Sequence, residues 1–331
     1  MTSNIDRIDA WQTKVQAWMI APFPFPWLII GGLLLAAALM VAGFRELGTR
    51  QWAFLSLQAT LIAALANATV FAERVLDEVA DSFPALLGKN ETSTKEWLYY
   101  WYDNIFWSKK NLVAGMCAMP VVFVCSWLIA PNVFMTSGAE VAAHFLNLII
   151  GFLGGSLVWV MIGIARLMLS LGSKVEIKPS IFDTTTSPLR AASGVLWKIS
   201  LVASLVYALG LSMCFVCSLT LPPINLLVLV LSGLFLLFYF VIPQMNIHRT
   251  LMRIKGERLG DLIVHIDRAF DEVTRDPTPA NIGRLRDLFD LQHVVNGKRV
   301  WSFGLQELLM LVSSILIPLV LFVAGYYLKQ R

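Results

Sequence analysis

The chain has 331 residues, of which 57% are hydrophobic and only 15% charged, a balance that lies outside an ordinary soluble domain and calls for lipid to cover the apolar surface. The formal charge of +4 reflects where basic residues collect along the chain and does not indicate a nucleic-acid surface. The class expected is all-α, a polytopic membrane protein.

In chain order, Ile5, Ile8, Trp11, Val15 and Trp18 recur at helical spacing before Pro22, Pro24 and Pro26 break the pattern. An interfacial amphipathic helix is therefore expected over residues 1–25. Residues 1–20 hold acids and Trp, and no small-residue cleavage site follows residue 43, so the first span is expected to stay in the mature protein. Seven apolar stretches follow, at 27–43, 52–72, 111–130, 141–169, 195–218, 224–245 and 305–325, each near the ~20 residues a helix needs to cross hydrocarbon. The division expected is a transmembrane domain over 26–245 with inside loops 73–110 and 170–194, a cytoplasmic helical hairpin over 246–303, and a last transmembrane helix over 304–331.

Orientation follows from Lys and Arg, which favour cytoplasmic loops. With the N-terminus inside, 22 of the 26 basic residues fall in inside segments. The expected topology is seven spans in the plasma (inner) membrane, N-terminus cytoplasmic and C-terminus outside, with membrane lipid as the surrounding partner.

Loop 73–110 begins as an acidic helix with Val75, Leu76, Val79 and Phe83 on one face. It ends in Trp97, Tyr99, Tyr100, Trp101, Tyr102, Phe106 and Trp107 beside Lys109 and Lys110, the composition of an interfacial aromatic belt. A stacking platform for bases is the sharper alternative. Loop 170–194 is rich in Ser and Thr and interrupted by Pro179 and Pro188.

The hairpin is the one segment large enough to act as a separate unit. Leu259, Leu262, Ile263, Ile266, Phe270 and Val273 form an apolar stripe on a helix continuing from the sixth span. Asp276 and Pro277 end it, and Thr278 followed by Pro279 suits the start of a second helix, striped by Ile282, Leu285, Phe289 and Val295. Two half-apolar helices are marginal alone, so a homo-oligomer is expected, and the Gly151 and Gly155 pair in the fourth span offers a close helix contact.

Candidate site residues fall into three groups. Arg249, Arg253, Lys255 and Arg258 crowd the hairpin root, suited to anionic lipid or, in a ring around an oligomer axis, to a nucleotide or oligonucleotide. Arg249 and Arg253 share a helix face that Lys255 and Arg258 do not, so no single-subunit phosphate clamp is implied. Gln58, Asn67 and Asn147 are the polar residues within spans offered as pore-lining. Gln58 and Asn67 lie half a turn out of phase, and structural hydrogen bonding is the competing role for both. Pro120, Pro243 and Pro318 free backbone carbonyls and supply candidate gating hinges.

No acid sits at mid-membrane, which argues against a proton-coupled transporter. Cys214 and Cys217 form a C-x-x-C with no second pair or His partner, so no metal site and no cofactor is expected. Asn67 and Asn90 head glycosylation sequons placed in the bilayer and inside the cell. No catalytic signature is present, and the chain is expected not to be an enzyme.

The run from Ile242 to Lys255 (IPQMNIHRTLMRIK), the hairpin and the closing VWSFGLQELLMLVSSILIPLVLF resemble the C-terminal part of uncharacterised polytopic prokaryotic membrane proteins, including channel-type membrane effectors of anti-phage defence. That resemblance implies channel-forming spans under a nucleotide-controlled helical cytoplasmic part, and transfers no residue's role. The function expected is an oligomeric, ligand-gated ion channel. The alternatives are a non-conducting receptor or scaffold docking a cytoplasmic protein partner, and a transporter of small solutes.

Overall fold

A computed structural model describes residues 31–37, 48–80, 91–129, 137–174, 188–217, 223–297 and 305–330. The interfacial helix expected over 1–25, most of the first expected span and most of loop 170–194 lie outside the described residues. The described chain is almost wholly helical, with no strand among those residues. Its main helices are α1 (Thr49–Ala80), α2 (Glu91–Tyr102), α3 (Lys109–Ile129), α4 (Ser137–Lys174), α5 (Pro188–Cys217), α6 (Pro223–Arg275), α7 (Pro279–Gly297) and α8 (Leu305–Gln330).

Among the described residues, five stretches are long and apolar enough to cross a membrane: Gln51–Ala80, Glu140–Ser170, Ser193–Cys214, Val230–Arg275 and Leu308–Gly325. They correspond to the second, fourth, fifth, sixth and seventh expected spans. The third corresponds to α3, a helix of 21 residues that begins with Lys109 and Lys110 and contains Pro120. Of the first, only 31–37 is described, as helix. An all-helical chain with five helices long and apolar enough to span a membrane is thus observed among the described residues, and a count of seven is not. Pro188, expected as a loop breaker, is the first residue of α5, where its missing N–H costs no helix bond.

Helix α1 lies at the centre. Over half of its apolar window is buried, against 17% for α8 at the periphery. Buried Leu55, Ile62, Leu65, Ala68, Ala72, Val75 and Leu76 pack it against α4 and α5, and α6 closes the bundle through Leu236, Phe240 and Ile247. Outward positions remain apolar, among them Val121 on α3, Phe145 on α4, Leu205 on α5, Phe238 on α6 and Leu321 on α8, the surface that hydrocarbon must cover.

Helices α3 and α4 approach one another closely at their backbones. A Cβ on Gly155 would lie 2.5 Å from the Ala114 carbonyl oxygen, and one on Gly151 would lie 2.8 Å from Met119 Cα. The small-xxx-small pair expected to serve oligomerisation is therefore filled by the chain's own neighbouring helix, because α3 and α4 are consecutive and pack along their length.

Between α2 and α3 the chain makes a π-helical turn, Asp103–Trp107. It inserts Ile105, 1% exposed, against Gly163 of α4, where a Cβ would come within 2.7 Å of Ile105. Trp159 Nε1 donates to the Asn104 carbonyl at 3.2 Å. Tyr99, Tyr100 and Trp107 remain exposed, in keeping with an interfacial belt. The Tyr102 hydroxyl donates to Glu73 at 2.9 Å; burial and then the charges of Glu73 and Asp77 hold its pKa above the ordinary tyrosine value, so it stays a proton donor.

Candidate functional site

Helix α6 runs unbroken for 53 residues, or ~80 Å at 1.5 Å per residue. It passes from the bundle into an antiparallel hairpin with α7. The turn is built as its residues dictate: the Thr278 hydroxyl accepts from the Asn281 N–H at 3.4 Å, Asn281 Nδ2 donates to the Asp276 carbonyl at 2.9 Å, and Pro279 opens α7. Arg284 pairs with Glu272 across the hairpin at 3.0 Å. Only Ile266 and Ala269 are buried on the α6 side of the hairpin seam, and α7 buries no residue fully.

The basic residues of the hairpin root do not converge. Lys255 Nζ donates to the Asn296 carbonyl at 2.7 Å, tying α6 to the C-terminal end of α7, where a cation meets the helix dipole favourably. Arg253 lies 3.8 Å from Glu257 one turn on. Arg249 is exposed near the bundle. Arg258 alone of the four lines the hairpin's groove, an open space of about 460 Å³ bounded by Asp261, Leu262, Val264, His265 and Arg268 of α6 and Leu291 and Val295 of α7.

Two guanidinium groups and an imidazole, set beside the Asp261 carboxylate over an apolar floor, suit an anion carrying a flat or greasy part that also offers a donor to the carboxylate. His265 and Arg268 were not among the residues expected. Their signal was present, since Arg258, Asp261, His265 and Arg268 follow a 3, 4, 3 spacing that places them along one side of α6.

In the bundle, Gln58 and Asn147 are buried and meet: Gln58 Nε2 donates to Asn147 Oδ1 at 2.7 Å and to the Ala143 carbonyl at 3.0 Å. They bind α1 to α4. Asn67 Nδ2 donates to the Ala63 carbonyl of its own helix at 2.7 Å. The three expected pore-lining residues therefore share no surface.

A different polar set does run along the bundle. Ser193, Ser200 and Ser204 repeat along α5 and are all buried. Gln244 of α6 exchanges hydrogen bonds with the Ser193 hydroxyl, donating at 2.8 Å and accepting at 3.1 Å. Ser314 of α8 donates to Ser204 at 2.9 Å. The Ser200 and Tyr239 hydroxyls are buried with no hydrogen-bond partner among the described residues. From Ser193 to Ser204 this file climbs ~16 Å, about half the hydrocarbon thickness.

Pro120, Pro243 and Pro318 each lie inside a continuous helix. Pro243 is buried and adjoins Gln244, so the helix bond lost at the proline sits beside the Ser193 contact. Among the described residues no group of three His, Cys, Asp or Glu side chains could hold a metal ion. The chain matches no protein-family model, no curated protein and no solved structure.

Proposed function

We propose that the chain is a subunit of an oligomeric membrane channel, gated from the cytoplasm by an anionic ligand such as a nucleotide or oligonucleotide. The observation that carries this reading is the single helix α6, which lines the Arg258, His265 and Arg268 groove in its C-terminal part and holds Gln244 against Ser193 near its middle. A ligand that prefers one position of α7 against α6 biases α6 in the bundle by its differential affinity for the two states.

In this reading Gln244, Ser193, Ser200, Ser204, Tyr239 and Ser314 form the polar route, closed in the state described. Pro243 is the point at which α6 bends. Seven spans with the N-terminus inside put the hairpin in the cytoplasm, the arrangement that the distribution of Lys and Arg supports. A role as a defence effector fits the same plan.

The test is current through the purified protein in a planar bilayer, with nucleotides and short oligonucleotides added on the hairpin side. Discrete steps that respond to ligand, and a response lost with Arg258→Ala and Arg268→Ala, are expected. Silence from folded, correctly oriented protein overturns the channel. A receptor or scaffold is the second reading, favoured by the exposed Ile263 and Phe270 on the hairpin.

A further inference from the structure

The hairpin has two unlike faces. The groove occupies one. On the other, Ile263 and Phe270 of α6 are 46% and 58% exposed, and Ile282 and Phe289 of α7 are 51% and 48% exposed. Each pair is seven residues apart, so each makes a straight stripe beside the seam formed by Leu259, Leu262, Ile266 and Ala269. The helices are antiparallel, and at 100° per residue both stripes fall on the same side of the hairpin. Counted from the turn, Phe270 lies level with Ile282 and Ile263 level with Phe289, so the four side chains make one apolar patch.

The patch has charged rims of opposite sign. Asp267 lies 40° beyond Ile263 on the α6 side, followed by Asp271, and Arg286 lies 40° beyond Ile282 on the α7 side. All three are exposed and form no ion pair among the described residues. Asp267 is nine residues before Asp276 and Arg286 eight after Thr278, which puts them at one height along the hairpin.

We propose that this face docks the same face of a second copy of the chain, the two hairpins closing into a four-helix bundle. Two copies inserted the same way up can be related by a two-fold axis only along the membrane normal. That axis sets α6 of one copy opposite α7 of the other, bringing Asp267 and Asp271 against the partner's Arg286 on both sides of the seam. The patch of four half-exposed side chains offers roughly 400 Å² per copy, less than the ~800 Å² per partner of a free-standing complex. It suffices for chains already concentrated in one bilayer. The groove faces away from the seam and stays open to ligand. The proposal rests on the hairpin lying outside the bilayer, as the channel reading has it.

Full-length protein reconstituted in lipid vesicles tests this, in a background where Cys117, Cys125, Cys214 and Cys217 are changed to Ser. Copies carrying Phe270→Cys under one affinity tag are mixed with copies carrying Ile282→Cys under another and oxidised. The expected result is a disulfide between differently tagged chains, exceeding the Phe270→Cys homodimer about fivefold. Adding Asp267→Arg alone, or Arg286→Asp alone, to both cysteine variants lowers the yield about fivefold. Placing Asp267→Arg on one copy and Arg286→Asp on the other restores most of it, because positions 267 and 286 then join unlike charges at both rims and only Asp271 at one rim faces the introduced Asp. Absence of the mixed disulfide, or charge reversals that fail to compensate between copies, overturns the seam and leaves the face to a membrane surface or another protein. Ligand-gated current that persists without the disulfide overturns the seam alone, whereas the disulfide without current overturns the channel alone.

Discussion

The membrane bundle and the hairpin are held together in opposite ways. In the bundle, α1 is surrounded by α4 and α5, α3 and α4 touch backbone to backbone at Gly151 and Gly155, and buried amides and hydroxyls pair between helices. The hairpin has a thin seam, a capped turn and exposed ion pairs. With no water to satisfy them, polar groups in the bundle need protein partners. Those of the hairpin are mostly exposed, and in the proposed topology they have solvent, so single contacts there would matter less. The bundle is held by close packing and paired polar groups, and the hairpin by a thin seam and a few single contacts.

The sharpest way to break this contrast is at Gly155, where any side chain meets the Ala114 carbonyl. Gly155→Leu is expected to cost about 3 kcal/mol or more, read as loss of monodisperse protein and a lowered Tm in detergent. If the bundle tolerates it, the tight α3–α4 contact is not what orders these helices. Next, Gln58→Leu leaves buried Asn147 without its donor and is expected to cost about 1–2 kcal/mol. Asn147→Leu added to it should cost less than the sum of the single changes, a coupling that a double-mutant cycle of unfolding reads.

In the hairpin, Thr278→Ala removes the cap on α7 and is expected to cost about 1 kcal/mol. Hydrogen exchange should show the loss confined to 279–297, with protection in α1 and α4 unchanged. Arg284→Gln breaks an exposed ion pair and is expected to change hairpin stability by less than about 0.5 kcal/mol, within the noise of the same exchange measurement. A hairpin effect as large as that of Gly155→Leu would erase the contrast.

Much of this architecture was legible in the residues. Apolar runs marked the helices of the bundle, and Thr278 and Pro279 marked the start of α7, because capping and proline chemistry act within a few residues. What the residues left open was who touches whom. Gly151 and Gly155 announced a close contact without saying that Ala114, Ala118 and Met119 of the same chain would fill it. Gln58 and Asn147 are 89 positions apart, and nothing local ties one to the other. Ser193, Ser200 and Ser204 looked like ordinary small residues in an apolar helix until Gln244 and Ser314 were placed beside them. The hairpin's basic residues advertised charge, but their separation into a groove lining, a helix tie and exposed side chains depended on where α7 lay.

If α6 bends at Pro243, as the proposed channel has it, the helix is a lever with unequal arms. Beyond the proline, 32 residues carry the helix to Arg275, an arm of ~48 Å. A bend of ~10° at such a break, well within what proline allows, sweeps the hairpin tip sideways by ~8 Å. Under the same proposal, a ligand or neighbouring copy pushing at the tip would work with a long arm on the few residues around Gln244, so a weak force at the end of the rod would become a strong one at its fulcrum.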